Sequence, residues 1–234
     1  MKRFGALIFM LALCLLATSA LAEGVPVARG DDIAAYVDGQ GSLFLAGRDD
    51  PINNTDADSV VAVDAYRALF YCPDNFLGTN DLYMIDLETF KETLVAQDVY
   101  DAALTDDTAW YVTNADRKTL KRVDLISLAS KTATVTTEPI DRLYASNEGL
   151  IVDQVDQTGT LLYVRETDRF EDYTEPVPLS GFVVDGDEVY LTDAGRLYLR
   201  SGFNYTSLLI DSDVTAFTRL NDAVYYLVRT GNAV

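Results

Sequence analysis

The chain reads Leu69-Phe70-Tyr71, continues through a polar turn and then reads Leu82-Tyr83. This unit, an apolar pair followed by a turn and a second apolar pair, recurs along the sequence. Its clearest further copies are Trp110-Tyr111 with Leu120, Leu150-Ile151 with Leu162-Tyr163, and Val189-Tyr190 with Leu197-Tyr198. Corresponding apolar positions of the first three units lie 40 residues apart, at 70, 110 and 150. The chain is therefore built from an internal repeat.

Each unit contains short strands separated by turns. Runs rich in Val, Ile, Thr, Tyr and Phe are bounded by Asp, Asn, Gly and Ser clusters every eight to twelve residues. No window beyond the N-terminal segment has the apolar spacing of an amphipathic helix. A period near 40 residues with four strands per unit is typical of β-propeller blades. We therefore expect an all-β protein, a β-propeller of four-stranded antiparallel blades, with strands named a to d from the axis outward.

Superposing the units gives blade boundaries. The predicted blades are 24–59, 60–99, 100–139, 140–180 and 181–213, with a partial blade at 214–234. Residues 25–45 resemble strands a, b and c of a first blade, so the unfinished blade is the last. We expect about five complete blades plus a partial sixth, C-terminally incomplete relative to a six- or seven-bladed parent. The alternative is a closed five-bladed propeller in which the N-terminal strands pair with the last two.

The first 22 residues differ from the rest of the chain. Lys2 and Arg3 are followed by an apolar run, and Ala20-Leu21-Ala22 has the small-x-small pattern of a cleavage site. This is the pattern of a secretory signal peptide. We expect cleavage after Ala22, leaving residues 23–234 as a single secreted, extracellular propeller domain with no membrane insertion.

The charge restricts the partners. The chain has 18 basic and 37 acidic residues, a net charge of −19. Such a surface repels nucleic acid and anionic lipid. It favours solubility outside the cell, and we expect a monomer that attracts cations or basic partners.

One blade carries a family resemblance. Residues 82–89, Leu-Tyr-Met-Ile-Asp-Leu-Glu-Thr, resemble a repeat of secreted bacterial propellers described as similar to the low-density-lipoprotein-receptor-related type, and also the TolB-like repeats. The resemblance extends over the chain beyond residue 22 and implies a propeller fold and secretion. The receptor-type YWTD motif is absent, since its nearest match is Trp110-Tyr111-Val112-Thr113-Asn114. Nothing about receptor ligands carries over.

The turns between strands b and c predict a ligand-binding face. In a propeller these turns converge at one end, beside the links from strand d to the next strand a, and loops so placed commonly carry function. The loop 72–81 is longer than its equivalents and holds an aromatic side chain. The candidate ligand-binding residues are Asp74, Asn75, Phe76, Asn80, Asn114, Asp116, Asp153, Asp156 and Asp193. The alternative for each is ordinary turn chemistry, because Asp and Asn favour turns on their own account.

Catalytic and metal motifs are scarce. The chain has no histidine, which excludes a Ser-His-Asp triad and every histidine-ligated metal site. No phosphate-binding glycine loop or Gly-x-Ser-x-Gly elbow is present. The loop 153–159 has part of the acidic spacing of a calcium loop but lacks the closing glutamate, so calcium stays an alternative and no other cofactor is expected.

These patterns favour a non-enzymatic role. We expect a secreted propeller that binds a protein or a carbohydrate, at the cell surface or outside the cell, through its b–c turns. One alternative is a carboxylate-dependent enzyme acting on glycans, because such enzymes need only two carboxyl groups. The other is a structural module of a larger surface protein.

Overall fold

The computed structural model describes residues 27–28, 33–74, 77–146, 149–155, 159–184, 187–201, 207–220 and 223–229. Within these residues the chain is a series of β-strands, and a 3-10 turn lies at Arg165–Thr167. The prediction of an all-β propeller is confirmed. The signal-peptide prediction falls on residues outside the described part of the chain.

The strands follow one another with short turns. Their bounds are β1 Val27–Ala28, β2 Ala35–Val37, β3 Leu43–Leu45, β4 Ser59–Val63, β5 Arg67–Asp74, β6 Thr79–Asp86, β7 Glu92–Thr105, β8 Thr108–Thr113, β9 Thr119–Asp124, β10 Ser130–Val135, β11 Ile140–Ala145, β12 Gly149–Gln154, β13 Leu161–Val164, β14 Arg169–Asp172, β15 Ser180–Val184, β16 Asp187–Leu191, β17 Leu197–Arg200, β18 Ser207–Asp211, β19 Val214–Leu220 and β20 Ala223–Val228.

The blades are antiparallel meanders. Strands β11 to β14 form one four-stranded sheet, and β15 to β18 form another. Two further blades share an eight-stranded sheet because β7 has 14 residues and belongs to both. Its first half pairs with β6, as in Leu82 with Ala96, and its second half pairs with β8, as in Ala103 with Trp110. Asp98, whose φ is 55°, marks the bend between the halves.

The two ends of the array differ from the complete blades. The first hairpin is β2 with β3, and the last is β19 with β20. Strand β1 pairs in parallel with β4, the inner strand of the second blade, with Val27 opposite Ala62. The sequence analysis predicts that residues 25–45 begin with strand a of the first blade. In the structure, β1 pairs instead with strand a of the second blade. The number of blades in the complete protein stays a prediction.

The sequence repeat corresponds to the packing between blades. Phe70, Trp110, Leu150 and Tyr190 lie on the second strands of their blades, and each is at most 1% exposed. Phe70 packs in a cluster with the first hairpin, whereas Trp110 packs in a cluster with the fourth blade. The Trp110 ring lies 4.6 Å from the ring of Tyr163 in the next blade. Burial of these large side chains is the main stabilising contribution, of roughly 2–3 kcal/mol each.

The last hairpin packs on the blade before it. Phe217 and Val224 contact an apolar cluster that includes Val189, Leu191 and Leu197. The described residues include no helix with the length and hydropathy required to span a bilayer.

Candidate functional site

The end of the blades that carries the b–c turns and the d–a links is called here the b–c face. At its first link, the Asp81 carboxylate accepts the backbone N–H of Asp98 at 3.0 Å. The Asp98 carboxylate in turn accepts the side-chain amide of Asn114 at 3.1 Å and the backbone N–H of Ala115 at 3.2 Å. The link after the second blade is thus bonded to the b–c turn of the third.

Arg117 connects the third blade to the fourth. Its guanidinium lies 3.7 Å from the ring centroid of Tyr100, within cation–π distance. It also donates to the backbone oxygen of Ile140, at 3.0 Å from Nε and 2.7 Å from Nη2, and pairs with Asp141 at 3.3 Å. This side chain orders the turn in which Asn114 and Asp116 are exposed.

Arg142 connects the fourth blade to the fifth. Arg142 lies on β11, near the end of that strand that meets the b–c face. Its guanidinium pairs with Asp153 at 3.4 Å and with Asp193 at 3.3 Å. Burial lowers the pKa of Arg142, whereas the two carboxylates raise it by a larger amount, so the guanidinium stays charged. Asp153 is buried and also accepts the Thr160 hydroxyl at 3.2 Å, while the Asp193 side chain is 56% exposed.

Asp101 lies one residue before the buried section of β7 and joins three blades. Its carboxylate accepts the Leu143 backbone N–H at 2.6 Å and the Tyr71 hydroxyl at 3.3 Å. Burial raises the pKa of Asp101 to about 6, against the lowering effect of these hydrogen bonds. Burial and the Asp101 charge raise the pKa of the Tyr71 hydroxyl well above its usual range.

The structure brings some of the predicted site residues together and separates others. Asp153 and Asp193 meet at Arg142. Asn114 and Asp116 share one exposed turn, in which the Asp116 carboxylate accepts the backbone N–H groups of Lys118 and Thr119. Hydrogen bonds from Thr119, through its side chain first, and from Lys118 hold the pKa of Asp116 below its usual value.

The remaining predicted residues belong to the loop of the second blade or lie outside the described structure. Asp74 and Asn80 are half-buried at the ends of β5 and β6, where Asp74 accepts the Leu77 N–H at 3.2 Å. Asn75, Phe76 and Asp156 fall outside the described residues. The ligand-binding role of all nine residues stays a prediction.

Sequence reasoning missed the residues that hold the face together. Asp98, Asp101, Arg117 and Arg142 were not singled out, although their bonds position the turns. One signal was available, since basic residues are scarce in a chain with 18 of them against 37 acidic ones. A lone arginine at each of two successive blade junctions therefore predicts ion pairing.

A cavity of about 340 Å³ opens on the b–c face beside Asp193. It is lined by the b–c turn of the fifth blade, the start of β19 and Arg229. Asp193 and Asp213 give it carboxylates, and Leu179, 49% exposed, gives it an apolar wall. The combination suits a ligand with both hydrogen-bond donors and apolar surface.

The described residues contain no group of three or more Asp, Glu, Cys or His side chains arranged to hold a metal ion. The loop 153–159, the calcium alternative, lies partly outside them. What the b–c face offers chemically is charge and hydrogen bonding from ordered turns.

No protein-family model and no curated protein matches this sequence. Solved structures do match its fold. TolB from Acinetobacter baumannii has a TM-score of 0.55 at 11% identity, over 85% of this chain and 58% of TolB. An oligogalacturonate lyase in complex with manganese has a TM-score of 0.55 at 13% identity, over 86% of this chain and 67% of the lyase. A nidogen/laminin complex has a TM-score of 0.54 at 9% identity, over 79% of this chain and 78% of the matched one. At these identities the likeness concerns the fold.

Proposed function

We propose that this chain is a secreted, non-enzymatic propeller that binds a basic segment of a partner protein on its b–c face. The observation that carries the proposal is the connected set of bonds from Asp98 to Asp193, which fixes exposed carboxylates and Asn114 on neighbouring turns. One of the similar structures is itself a protein complex, that of nidogen and laminin.

The physical basis is preorganisation. Turns that are already ordered lose little conformational entropy when a ligand binds. A net charge of −19 also steers cationic partners towards the protein and raises the association rate. Nucleic acid is repelled by the same field.

The test uses a displayed library of random 12-residue peptides as the probe. We expect enrichment of peptides rich in Lys and Arg, and we expect Asp116→Asn with Asp193→Asn to weaken their affinity about tenfold or more. Glu171→Gln with Asp172→Asn is the matched control, because it also removes two exposed acidic charges, here from the outer strand β14. Its affinity should stay within about twofold of the parent.

Equal losses of affinity for the b–c face variant and for the β14 control would mean that net charge, and not the face, governs binding. That outcome, or enrichment of peptides without basic residues, would overturn the proposal. Oligosaccharide arrays on the same variants form a second arm, and binding there without peptide binding would replace the protein partner with a carbohydrate.

A further inference from the structure

The carboxyl group of Asp101 lies between three blades and close to the b–c face. Asp101 pairs with Val112, the residue before the end of β8 at which the b–c turn of the third blade begins. Its carboxylate accepts the Tyr71 hydroxyl of the second blade at 3.3 Å and the Leu143 backbone N–H of the fourth blade at 2.6 Å. One side chain therefore joins its own blade to the blades on both sides.

The bond to Leu143 connects Asp101 with an exposed turn of the face. Leu143 follows Arg142 in β11, and the Arg142 guanidinium pairs with Asp153 at 3.4 Å and with Asp193 at 3.3 Å. Asp193 belongs to the b–c turn of the fifth blade, and its side chain is 56% exposed. A continuous path of contacts thus runs from the Asp101 carboxyl group to the surface on which a partner would bind.

The charge of Asp101 changes in an interval that this chain otherwise leaves empty of its usual titrating group. Histidine is the side chain whose ordinary pKa lies between pH 5 and pH 8, and the chain has none. Ordinary aspartates and glutamates have pKa values of about 4 and are ionised above pH 5.5. Burial raises the pKa of Asp101 to about 6, so Asp101 gains and loses its charge where those carboxylates do not.

Groups of both signs lie around this part of β7. Burial has the largest effect on the pKa of Asp101, and hydrogen bonds and the Arg142 charge oppose it. β4 has no titratable side chain between Ser59 and Val63. The titratable or charged groups that the other packed strands carry near Asp101 are Tyr71 of β5, Asp81 of β6, Tyr111 of β8, Asp141 and Arg142 of β11 and Asp153 of β12. Asp141 pairs with Arg117, so Arg142 is the cation through which a change at Asp101 reaches the face.

Protonation of Asp101 alters this path in two ways. A hydrogen bond to an ionised carboxylate is roughly twice as strong as one to a neutral acceptor, so protonation weakens the bond from the Leu143 N–H. It also removes the attraction between Asp101 and Arg142, which is weakly screened because Asp101 is buried. The face then carries one negative charge less, and the strand that positions Arg142 is held less firmly.

We propose that Asp101 is a proton-operated switch of the b–c face. In its ionised form it holds Leu143 and Arg142 in the arrangement of this structure, and the face binds a basic ligand more tightly. In mild acid the carboxyl group is neutral, the turn that carries Asp193 shifts, and the ligand is held less tightly. The effect on affinity rests on the proposed function, whereas the coupling between Asp101 and the turn does not.

The coupling is tested on the full chain without any ligand, by following backbone amide resonances from pH 4.5 to pH 8. We expect the Leu143 amide and the amides of the turn 193–195 to titrate together, with a midpoint at about pH 6. Asp101→Asn, which keeps an oxygen for the Leu143 N–H, should abolish this titration. Tyr71→Phe removes a hydrogen bond that favours the ionised form, so the midpoint should move to higher pH.

The effect on affinity is tested with a 12-residue peptide of alternating Arg and Gly, whose charge is constant over this interval. The parent should bind it about two- to threefold more tightly at pH 7.5 than at pH 5.5. Asp101→Asn should bind it equally at both values. Glu171→Gln is the matched control, because it removes one exposed acidic charge from the outer strand β14 and should keep the pH profile of the parent.

The switch would be overturned if the amides of the turn 193–195 show no titration near pH 6, whether or not the Leu143 amide does. The same titration in Asp101→Asn as in the parent would also overturn it, as would a peptide affinity with equal pH dependence in both. If the peptide does not bind at pH 7.5, the proposed function fails, and the amide titration alone decides whether Asp101 controls the turn.

Discussion

Asp101 has a carboxyl group with a raised pKa at a blade junction. Its pKa is about 6 in the folded chain, mainly because of burial, and about 3.9 in an unfolded one. Between these values the folded state binds the proton more tightly. The stabilisation from this group is therefore fully present below about pH 4 and is lost as the pH rises through 6.

The prediction is a pH-dependent difference between the parent and Asp101→Asn. The amide removes the buried charge and keeps an oxygen for the Leu143 N–H. Relative to the parent, the variant should gain about 2–3 kcal/mol of unfolding free energy between pH 4 and pH 7. Urea denaturation at several pH values measures the two unfolding free energies. If their difference stays constant between pH 4 and pH 7, the buried charge of Asp101 is not the cause of the pH dependence.

Exposed carboxylates titrate in another interval. Hydrogen bonds from Arg122 and Tyr163 hold the pKa of Asp168 at about 2. Its contribution is present above the unfolded pKa and is lost only as the pH falls towards 2. Measuring the unfolding free energy over a range of pH can therefore distinguish the contribution of Asp101 from that of Asp168.

Gly181 has no room for a side chain. A Cβ atom there would lie 2.4 Å from the Tyr144 hydroxyl, which donates to the buried Glu188 carboxylate at 2.8 Å. Glu188 also pairs with the buried Arg200 at 3.8 Å. Displacing Tyr144 removes a hydrogen bond from a buried charge, which is costly.

We expect Gly181→Ala to lower the unfolding free energy by roughly 2–4 kcal/mol. Gly39→Ala is the matched control, because nothing lies within 4 Å of its added Cβ, and its effect should stay within about 0.5 kcal/mol. Chemical denaturation of both variants gives the comparison. Similar values for the two would contradict the packing described at Gly181.

At the scale of the strand, β8 carries the centre of the junction between the third and fourth blades. Trp110 is 1% exposed, its indole N–H donates to the Thr105 hydroxyl at 2.7 Å, and its ring meets Tyr163 and Phe170. Trp110→Ala should lower the unfolding free energy by roughly 3–5 kcal/mol, because it removes a large buried side chain. Ile126→Ala, at a 77% exposed position, should lower the unfolding free energy by less than about 0.5 kcal/mol in the same chemical denaturation experiment. If Trp110→Ala lowers the unfolding free energy no more than Ile126→Ala does, the close packing described at this junction is contradicted.

The strands show what sequence alone could predict. The apolar pair at Trp110 recurs with a fixed spacing, because each blade must bury the same face against the next, so the fold was accessible from the pattern. The pairing of β1 with β4 was not accessible, and the scarcity of basic residues indicates that Arg142 is ion-paired without showing that Asp153 and Asp193 are its partners. A single chain carries no local signal for such contacts.

For the whole molecule, the N-terminal pattern predicts secretion. We expect a bacterial host that expresses the full chain to export it and remove residues 1–22. N-terminal sequencing of the exported protein should then begin at Glu23. An exported or retained protein that still begins at residue 1 would contradict the assignment.

The binding face itself is tested most directly by hydrogen exchange on a complex with an enriched basic peptide. If the b–c face is the site, exchange should slow at the turns 114–118 and 192–196 and stay unchanged at the a–b turn 64–66. Protection confined to the a–b turns or to the outer strands, with the b–c turns unaffected, would contradict the proposed function.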